Sequence, residues 1–385
     1  MKNRISVMAL CLLMVGGAYA QNEEEELIVT PSGRILMDGG LFDAGKENNL
    51  FNDGFAIPDM RISMKAKYGK WAAKVDVGYA YGKVGMKDTQ LQYTFDNKNF
   101  IRGGYFIHQY GLQSATSSSF KESMEEPRSN QAFNNDRMLG VMFVHSAKKF
   151  LGTVSLFNEN DAMKMSSDHL GNQATGAMSR LVYRPFTAPG TIFHVGISGA
   201  YEAPRYNENA DLDHSSYVLK TSWPTRVAKV TALEATVSNA KGLYKFTPEV
   251  VGAIGRFGFG AQYFMNYIKR DKGFENFIGS GAYGEVRAII KGGDYTYNYC
   301  DGGLATPNVG SMEVVLAYDY TDLSDCKAKV WGGMSNDYSA TFNYYFNKYM
   351  IWRIRASYSN VTNRLDYTVP ENHMSTIETR LQIKF

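Results

Sequence analysis

Basic side chains recur at every second position in several short stretches of this chain. Arg61, Lys65 and Lys67 alternate with Ile62, Met64, Ala66 and Tyr68. A few residues later Lys74 and Asp76 alternate with Ala73, Val75 and Val77. An extended strand sends successive side chains to opposite faces, so each stretch has one charged and one apolar face. A lysine or arginine facing hydrocarbon at the bilayer midplane costs about 2–4 kcal/mol, so in a membrane wall the charged face must line an aqueous interior. By that rule the inward basic residues are Arg61, Lys65, Lys67, Lys74, Arg102, Arg180, Arg184, Lys220, Arg287, Lys291, Arg353, Arg355, Arg380 and Lys384. The inward acids are Asp59, Asp76, Asp88, Glu285, Glu313, Asp319 and Glu378. Fourteen against seven leaves the inferred wall two to one basic. Such an array lowers the free energy of a small anion in a narrow lumen. The competing reading is that lumenal charges pair with one another and select nothing. A one-residue slip in register moves a side chain to the other face, so the balance depends on register.

Between two of these stretches lies a polar insertion, residues 109–136, with hydroxyls at Thr116 to Ser119 beside Lys121 and Arg128. Folded inward, its hydroxyls and backbone N–H groups would bind an anion shedding water, next to those two cations. Left outside, it is an ordinary surface loop, and its composition suits both.

The elements that must hold these residues are strands. Period-two alternation is found at 33–41, 61–68, 71–81, 86–96, 98–108, 137–146, 149–159, 176–186, 191–201, 213–223, 243–254, 256–268, 281–291, 311–321, 338–347, 349–360 and 375–385. That is seventeen, and a closed single-chain bacterial barrel needs an even number, so one is spurious or fused and sixteen is expected. Short connections at 69–70, 97, 147–148, 187–190 and 348 contrast with long ones at 109–136, 160–175, 202–212, 269–280, 292–310 and 361–374. Short turns at one end and long loops at the other are the layout of an outer-membrane barrel. The last strand ends in Thr379, Leu381, Ile383 and Phe385 on one face, as expected of a signal read by the barrel-assembly machinery. No 18-residue apolar run follows the N-terminus, so no membrane helix is expected.

The N-terminus reads as a secretory signal. Lys2 and Arg4 precede an apolar core from Ile5 to Val15, and Ala18-Tyr19-Ala20 fits a small-x-small cleavage site, which predicts residues 1–20 as signal peptide and 21–385 as one barrel domain. Leu10 before Cys11 is too bulky for a lipidation site. The mature chain has two cysteines, Cys300 and Cys326, which either pair or stay free thiols. Tyr (26) and Phe (22) are abundant, as suits strands and membrane interfaces. The mean hydropathy of −0.31 is compatible with polar lumen residues alternating with lipid-facing ones. The net charge of +3 falls to about +1 without Lys2 and Arg4, which gives no reason to expect a nucleic-acid partner. No G-x-S-x-G, no C-x-x-C and no paired histidine motif occurs, so neither catalysis nor a metal or other cofactor is expected.

The stretch from Arg61 through Phe120, residues 310–320, residues 339–358 and the last five residues resemble the phosphate-selective porins O and P. The resemblance covers about half the mature chain, stretch by stretch. It implies a sixteen-stranded, homotrimeric outer-membrane barrel, embedded in lipid and lipopolysaccharide, through which phosphate or similar anions diffuse passively. Arginines would lead the anion in, and lysines with loop groups would bind it; Arg61, Lys65, Arg102, Lys121, Arg128 and Arg353 match those roles best. Lys67, Lys74, Arg287 and Arg355 join them as lumen candidates. Glu122, Glu125 and Glu126 depart from the pattern, since three acids in the insertion would oppose phosphate. A sugar or peptide pore without an anion site, and a non-conducting structural barrel, are the alternatives.

Overall fold

A computed structural model of the chain describes residues 26–45, 50–116, 121–158, 174–204, 215–364 and 372–385. The expected signal peptide and residues 117–119 of the hydroxyl run lie outside the described residues. In chain order the strands are β1 (Ile28–Asp43), β2 (Gly54–Tyr68), β3 (Trp71–Ala80), β4 (Lys83–Thr94), β5 (Asn99–Phe106), β6 (Met138–Ser146), β7 (Phe150–Asn158), β8 (Thr175–Ala188), β9 (Thr191–Glu202), β10 (Tyr217–Ser222) and β11 (Thr231–Val237). They continue as β12 (Ala240–Ile254), β13 (Phe257–Arg270), β14 (Phe277–Lys291), β15 (Tyr297–Asn298), β16 (Gly303–Leu304), β17 (Met312–Asp325), β18 (Val330–Tyr344), β19 (Met350–Arg364) and β20 (Asn372–Lys384). Sixteen of them close a barrel of antiparallel neighbours, and β10–β11 and β15–β16 form two separate hairpins.

Closure joins β1 to β20, with Ile35 opposite Ile383 and Met37 opposite Leu381. The surplus alternating stretch is 213–223: within it Tyr217–Ser222 forms β10, which among the described residues pairs with β11 and not with the barrel wall. The same miscount explains a second correction. Followed strand by strand, segment 292–311 joins the ends of β14 and β17 at the short-turn end, not among the long loops. Nor is the long end uniformly long, because β3 and β4 are joined there by Tyr81 and Gly82 alone.

The outward face carries the apolar residues. Ile62, Met64, Val75, Val154, Leu181, Ile197, Val286 and Leu316 are all exposed, the reverse of a soluble domain and the arrangement lipid requires. Aromatic rings gather toward both ends of the wall, with Trp71 against Tyr93 (4.7 Å) and Phe150 against Tyr183 (5.1 Å) near the short turns. Tyr201 against Tyr244 (5.1 Å) lies toward the other end. Such amphipathic rings favour the two membrane–water interfaces.

Candidate functional site

Three segments fold into the lumen and decide which inward residues water can reach. The first is the insertion after β5. It turns inward and carries two short helices, α1 (Gly111–Ala115) and α2 (Arg128–Phe133). The backbone N–H of Gly111 donates to Ser198 Oγ (3.0 Å), and that of Gln113 to Gln262 Oε1 (3.0 Å), which ties α1 to β9 and β13. The backbone N–H of Ser129 donates to Asp319 Oδ1 (3.1 Å), which ties α2 to β17. The second segment is the β10–β11 hairpin. Trp223, Leu219 and Leu233 pack with Phe133, Phe264, Phe277 and Leu323 into an apolar cluster inside the barrel. The third is 292–311, whose Tyr295 and Tyr297 pack with Ile192, Ala253 and Ile289. Arg180 Nη1 donates to the Asp301 carbonyl (2.5 Å) and Arg184 Nη1 to that of Tyr299 (3.0 Å), pinning this segment to β8.

All three stand against the wall from β8 round to β20. There the inward side chains are buried: Arg180, His194, Lys245, Glu249, Gln262, Arg287, Glu313, Asp319, Asp337, Arg353, Arg355, Glu378 and Arg380. On β2 to β5 the inward acids Asp59 and Asp76 are buried, but most of the other inward polar side chains remain open. Ser63, Lys74, Gln90, Gln92 and Arg102 are half-buried, and Lys65 and Lys67 are exposed. The accessible wall is therefore one-sided.

The ten lumen candidates divide along that line. Arg61, Lys65, Lys67, Lys74 and Arg102 lie on the open wall. Arg61 Nε donates to Asp59 Oδ1 (3.1 Å), and Arg34 bonds the same carboxylate. Lys74 Nζ stands 2.7 Å from both Asp76 and Asp88. Arg102 donates to Gln92 Oε1 (2.9 Å) with its guanidinium over the Phe100 and Phe106 rings. Among the described residues Lys65 and Lys67 have no carboxylate partner.

The other five serve the packed side. Arg128 pairs with Asp337 (2.7 Å) over the Trp223 ring. Arg287 meets Glu313 (2.8 Å), Glu122 (3.1 Å) and Glu285 (3.6 Å). Arg353 donates to Asn343 Oδ1 and Gln382 Oε1, both at 3.1 Å. Arg355 donates to Glu378 Oε2 (3.2 Å) and the Pro224 carbonyl (2.9 Å). Lys121 is 3% exposed, and its ammonium donates to Gln113 Oε1 (2.9 Å) and the Gln113 carbonyl. Burial pushes its pKa down against the pull of Glu126, Glu122 and Glu285.

The insertion's acids also face the lumen, where they neutralise the wall. Glu122 reaches Arg287, and Glu125 stands 2.5 Å from Arg380 and 3.2 Å from Arg226. Burial alone would raise the pKa of Glu125, but Arg380, Arg226 and Arg355 outweigh it and hold the carboxyl below the usual glutamate range. Glu126 accepts from Asn130 within its own segment. Two expected lumenal lysines do not lie on the inner wall. Lys220 sits on β10, paired with Glu234 (2.6 Å), and Lys291 is exposed beyond a register shift at the end of β14. Sequence reading also passed over inward acids. Asp38, Glu249 and Asp337 alternate with outward apolar or aromatic neighbours by the same rule, and each holds an arginine: Arg380, Arg180 and Arg128. The two-to-one basic excess therefore shrinks over the whole lumen and survives on the open wall.

Two of the described histidines on the lumen side have local partners. His194 bridges Tyr297 Oη (3.0 Å) and Glu249 (3.2 Å). His108 stacks on Phe106 with its pKa pushed down to about 4 by burial. At the long-loop end a cavity of about 500 Å³ is lined by Asn135, Phe157, Glu202, Tyr217 and Lys245.

Cys300 and Cys326 are both free and exposed. Cys300 lies in segment 292–311 within electrostatic reach of Arg102, whereas Cys326 lies in the turn after β17 at the other end. A small anionic thiol reagent should therefore modify a Cys300-only variant in planar bilayers and lower its conductance. The same reagent on a Cys326-only variant should leave conductance unchanged. Equal behaviour of the two would remove segment 292–311 from the pore lining.

A family model described as phosphate-selective porin O and P matches residues 29–385. No curated sequence matches. Among solved structures, an anion-selective porin from Comamonas acidovorans superposes with a TM-score of 0.58 at 10% identity, covering 94% of this chain and 100% of that one. OmpT of Vibrio cholerae in its trimer form gives 0.55 at 10%, covering 93% and 99%. Pseudomonas putida OprB gives 0.55 at 8%, covering 93% and 94%. At these identities the likeness concerns the fold alone.

Proposed function

Because the chain belongs to the phosphate-selective porin O and P family, we propose that it is an outer-membrane porin for small anions, with phosphate the leading candidate, whose aqueous path follows the open wall of β2 to β5. The observation that carries this reading is the one-sided exposure of inward cations. Lys65, Lys67, Lys74 and Arg102 stay accessible, while Arg287, Arg353, Arg355 and Arg380 are buried against carboxylates and amides. A fixed positive field beside a narrow path favours anions without requiring a catalytic group. Lys121 and Arg128 act in this reading as fasteners of the insertion, not as ligands.

The same reading assigns the partners. Three copies assemble as a homotrimer in lipid and lipopolysaccharide, following export by the signal peptide to the Gram-negative outer membrane. Phe385 lies outward and 62% exposed, its backbone paired with Gly33, and this accessible terminus suits docking to the barrel-assembly machinery.

Purified protein in planar bilayers should give a reversal potential of the anion-selective sign in a potassium chloride gradient. Inorganic phosphate should then block the chloride current. Anion preference without phosphate block leaves a general diffusion pore, and cation preference sinks the anion reading. The packed side of the lumen gives the non-conducting barrel its one supporting observation, and absence of conductance would establish it.

A further inference from the structure

Five of the tight turns at the short-turn end pair a cation with an aromatic ring. Lys70 precedes Trp71, Lys149 precedes Phe150, Arg256 precedes Phe257 and Lys348 precedes Tyr349. The fifth turn holds Lys98, three residues after Phe95, and Lys148 adds a second cation beside Lys149. All six cations and all five rings are exposed. Acids do not match them. Asp96 is the one acid in these five turns, and its carboxylate accepts the backbone N–H groups of Lys98 (2.7 Å) and Asn99 (2.9 Å). Among the described residues Lys148, Lys149, Arg256 and Lys348 have no carboxylate partner. The long-loop end differs. There Lys272, Lys327 and Lys329 are interspersed with Asp271, Glu275 and Asp325, and Lys241 pairs with Asp271 (2.6 Å).

We propose that this outer rim is a docking surface for anionic phospholipid headgroups in the leaflet at the short-turn end. Exposed aromatic rings settle at the boundary between hydrocarbon and headgroups. A turn residue beside such a ring therefore stands at the depth of the lipid phosphodiesters, and the long stems of Lys and Arg let the charge reach them. A zwitterionic lipid brings its own ammonium to that phosphate. A lipid of net negative charge does not, so unmatched cations favour it, by about fivefold for each one close to the surface. The turns also lie close enough to act together. The Thr94 N–H donates to the Lys70 carbonyl (2.9 Å) and the Ser146 N–H to the Lys98 carbonyl (2.7 Å), so the turns at 69–70, 95–98 and 147–149 are consecutive around the rim. Two strand spacings separate neighbouring turns by about 10 Å, comparable to the screening length in physiological salt. Lys70 Nζ donates to the Phe95 carbonyl (3.3 Å), and its other two protons remain for a phosphodiester. Lys348 Nζ stands 4.7 Å from the centre of the Tyr349 ring. The cations run from the β2–β3 turn to the β18–β19 turn, so lipid reaches part of the rim whichever wall meets a neighbouring copy. The inference rests on the outer-membrane reading above and not on the anion path.

The test offers the full barrel an equimolar mixture of phosphatidylglycerol and phosphatidylcholine with identical acyl chains, and counts retained lipids by native mass spectrometry. The parent should retain phosphatidylglycerol about fivefold or more over phosphatidylcholine. Glutamine at Lys70, Lys98, Lys148, Lys149, Arg256 and Lys348 should bring the ratio close to one. A control removes the same charge from the long-loop end, with glutamine at Lys83, Lys241, Lys269, Lys272, Lys327 and Lys329, and should keep the parent's ratio. All twelve side chains are exposed, and the mobility of unheated samples on a gel reports that each variant has folded. Equal retention of the two lipids by the parent would overturn the proposal, as would an equal fall in both variants. Inorganic phosphate in excess, at constant ionic strength, should not displace the retained lipid. Displacement would assign the rim to a soluble anion instead. Since lipid retention is read without any current, its failure leaves the anion-pore reading to be decided by the reversal potential.

Discussion

Replacing Lys65, Lys67 and Lys74 with glutamate should turn the pore from anion-preferring to cation-preferring, read as an inverted reversal potential in a salt gradient. The three project from β2 and β3 onto the open side of the lumen. Each reversal changes the local charge by two units. A unit charge 4 Å from a permeating ion is worth about 1 kcal/mol even in bulk water, and three reversals acting together amount to a tenfold or larger change in the permeability ratio. The matched control is Arg355→Gln with Glu378→Gln. That pair is buried behind the β10–β11 hairpin, where Arg355 also donates to the Pro224 carbonyl, so its removal should leave the ratio nearly unchanged. If the control moved the ratio as far as the triple variant, the path would run through the packed side instead.

That contrast marks what a strand pattern can and cannot reveal. Alternation placed Ile62 and Met64 outward and Lys65 and Lys67 inward because the period-two geometry of a strand is local. It also selected 213–223, since Leu219 and Trp223 obey the same geometry on a hairpin packed inside the barrel as they would on its wall. Nothing local distinguishes the two sheets. The fate of an inward arginine was equally hidden. Arg128 and Lys74 are both cations in polar surroundings, and only the fold of distant segments brings Asp337 to the first and leaves the second open. The sequence marks Glu122 and Glu125 as acids that would oppose phosphate, and in the fold each is paired with an arginine. Their partners, Arg287 and Arg380, lie more than a hundred residues away, which no spacing rule reaches.

Arg380→Met should produce the largest loss of stability, about 3–5 kcal/mol, by stranding two buried carboxylates. Arg380 Nε and Nη2 donate to the two oxygens of Asp38 at 2.7 and 2.5 Å, joining β20 to β1 at the seam where the barrel closes. The same guanidinium donates to Glu125 Oε1 (2.5 Å) and to the Met124 carbonyl (2.6 Å), so it also fastens the inward insertion. The loss should appear as a lower denaturant midpoint for the folded barrel, and the freed insertion as noisier single-channel currents. Adding Asp38→Asn and Glu125→Gln removes the stranded charges and should restore most of the midpoint while leaving the currents noisy. Full recovery of quiet currents would show that the insertion is held by its other contacts. Acid should act on the parent in the same direction. The carboxyl of Glu125 is held below its ordinary range, so its ion pair stabilises the fold above that range and is lost as pH falls through the depressed folded value. Between those limits the parent should lose stability on acidification, and a Glu125→Gln variant, with no proton to take up at that position, should lose less.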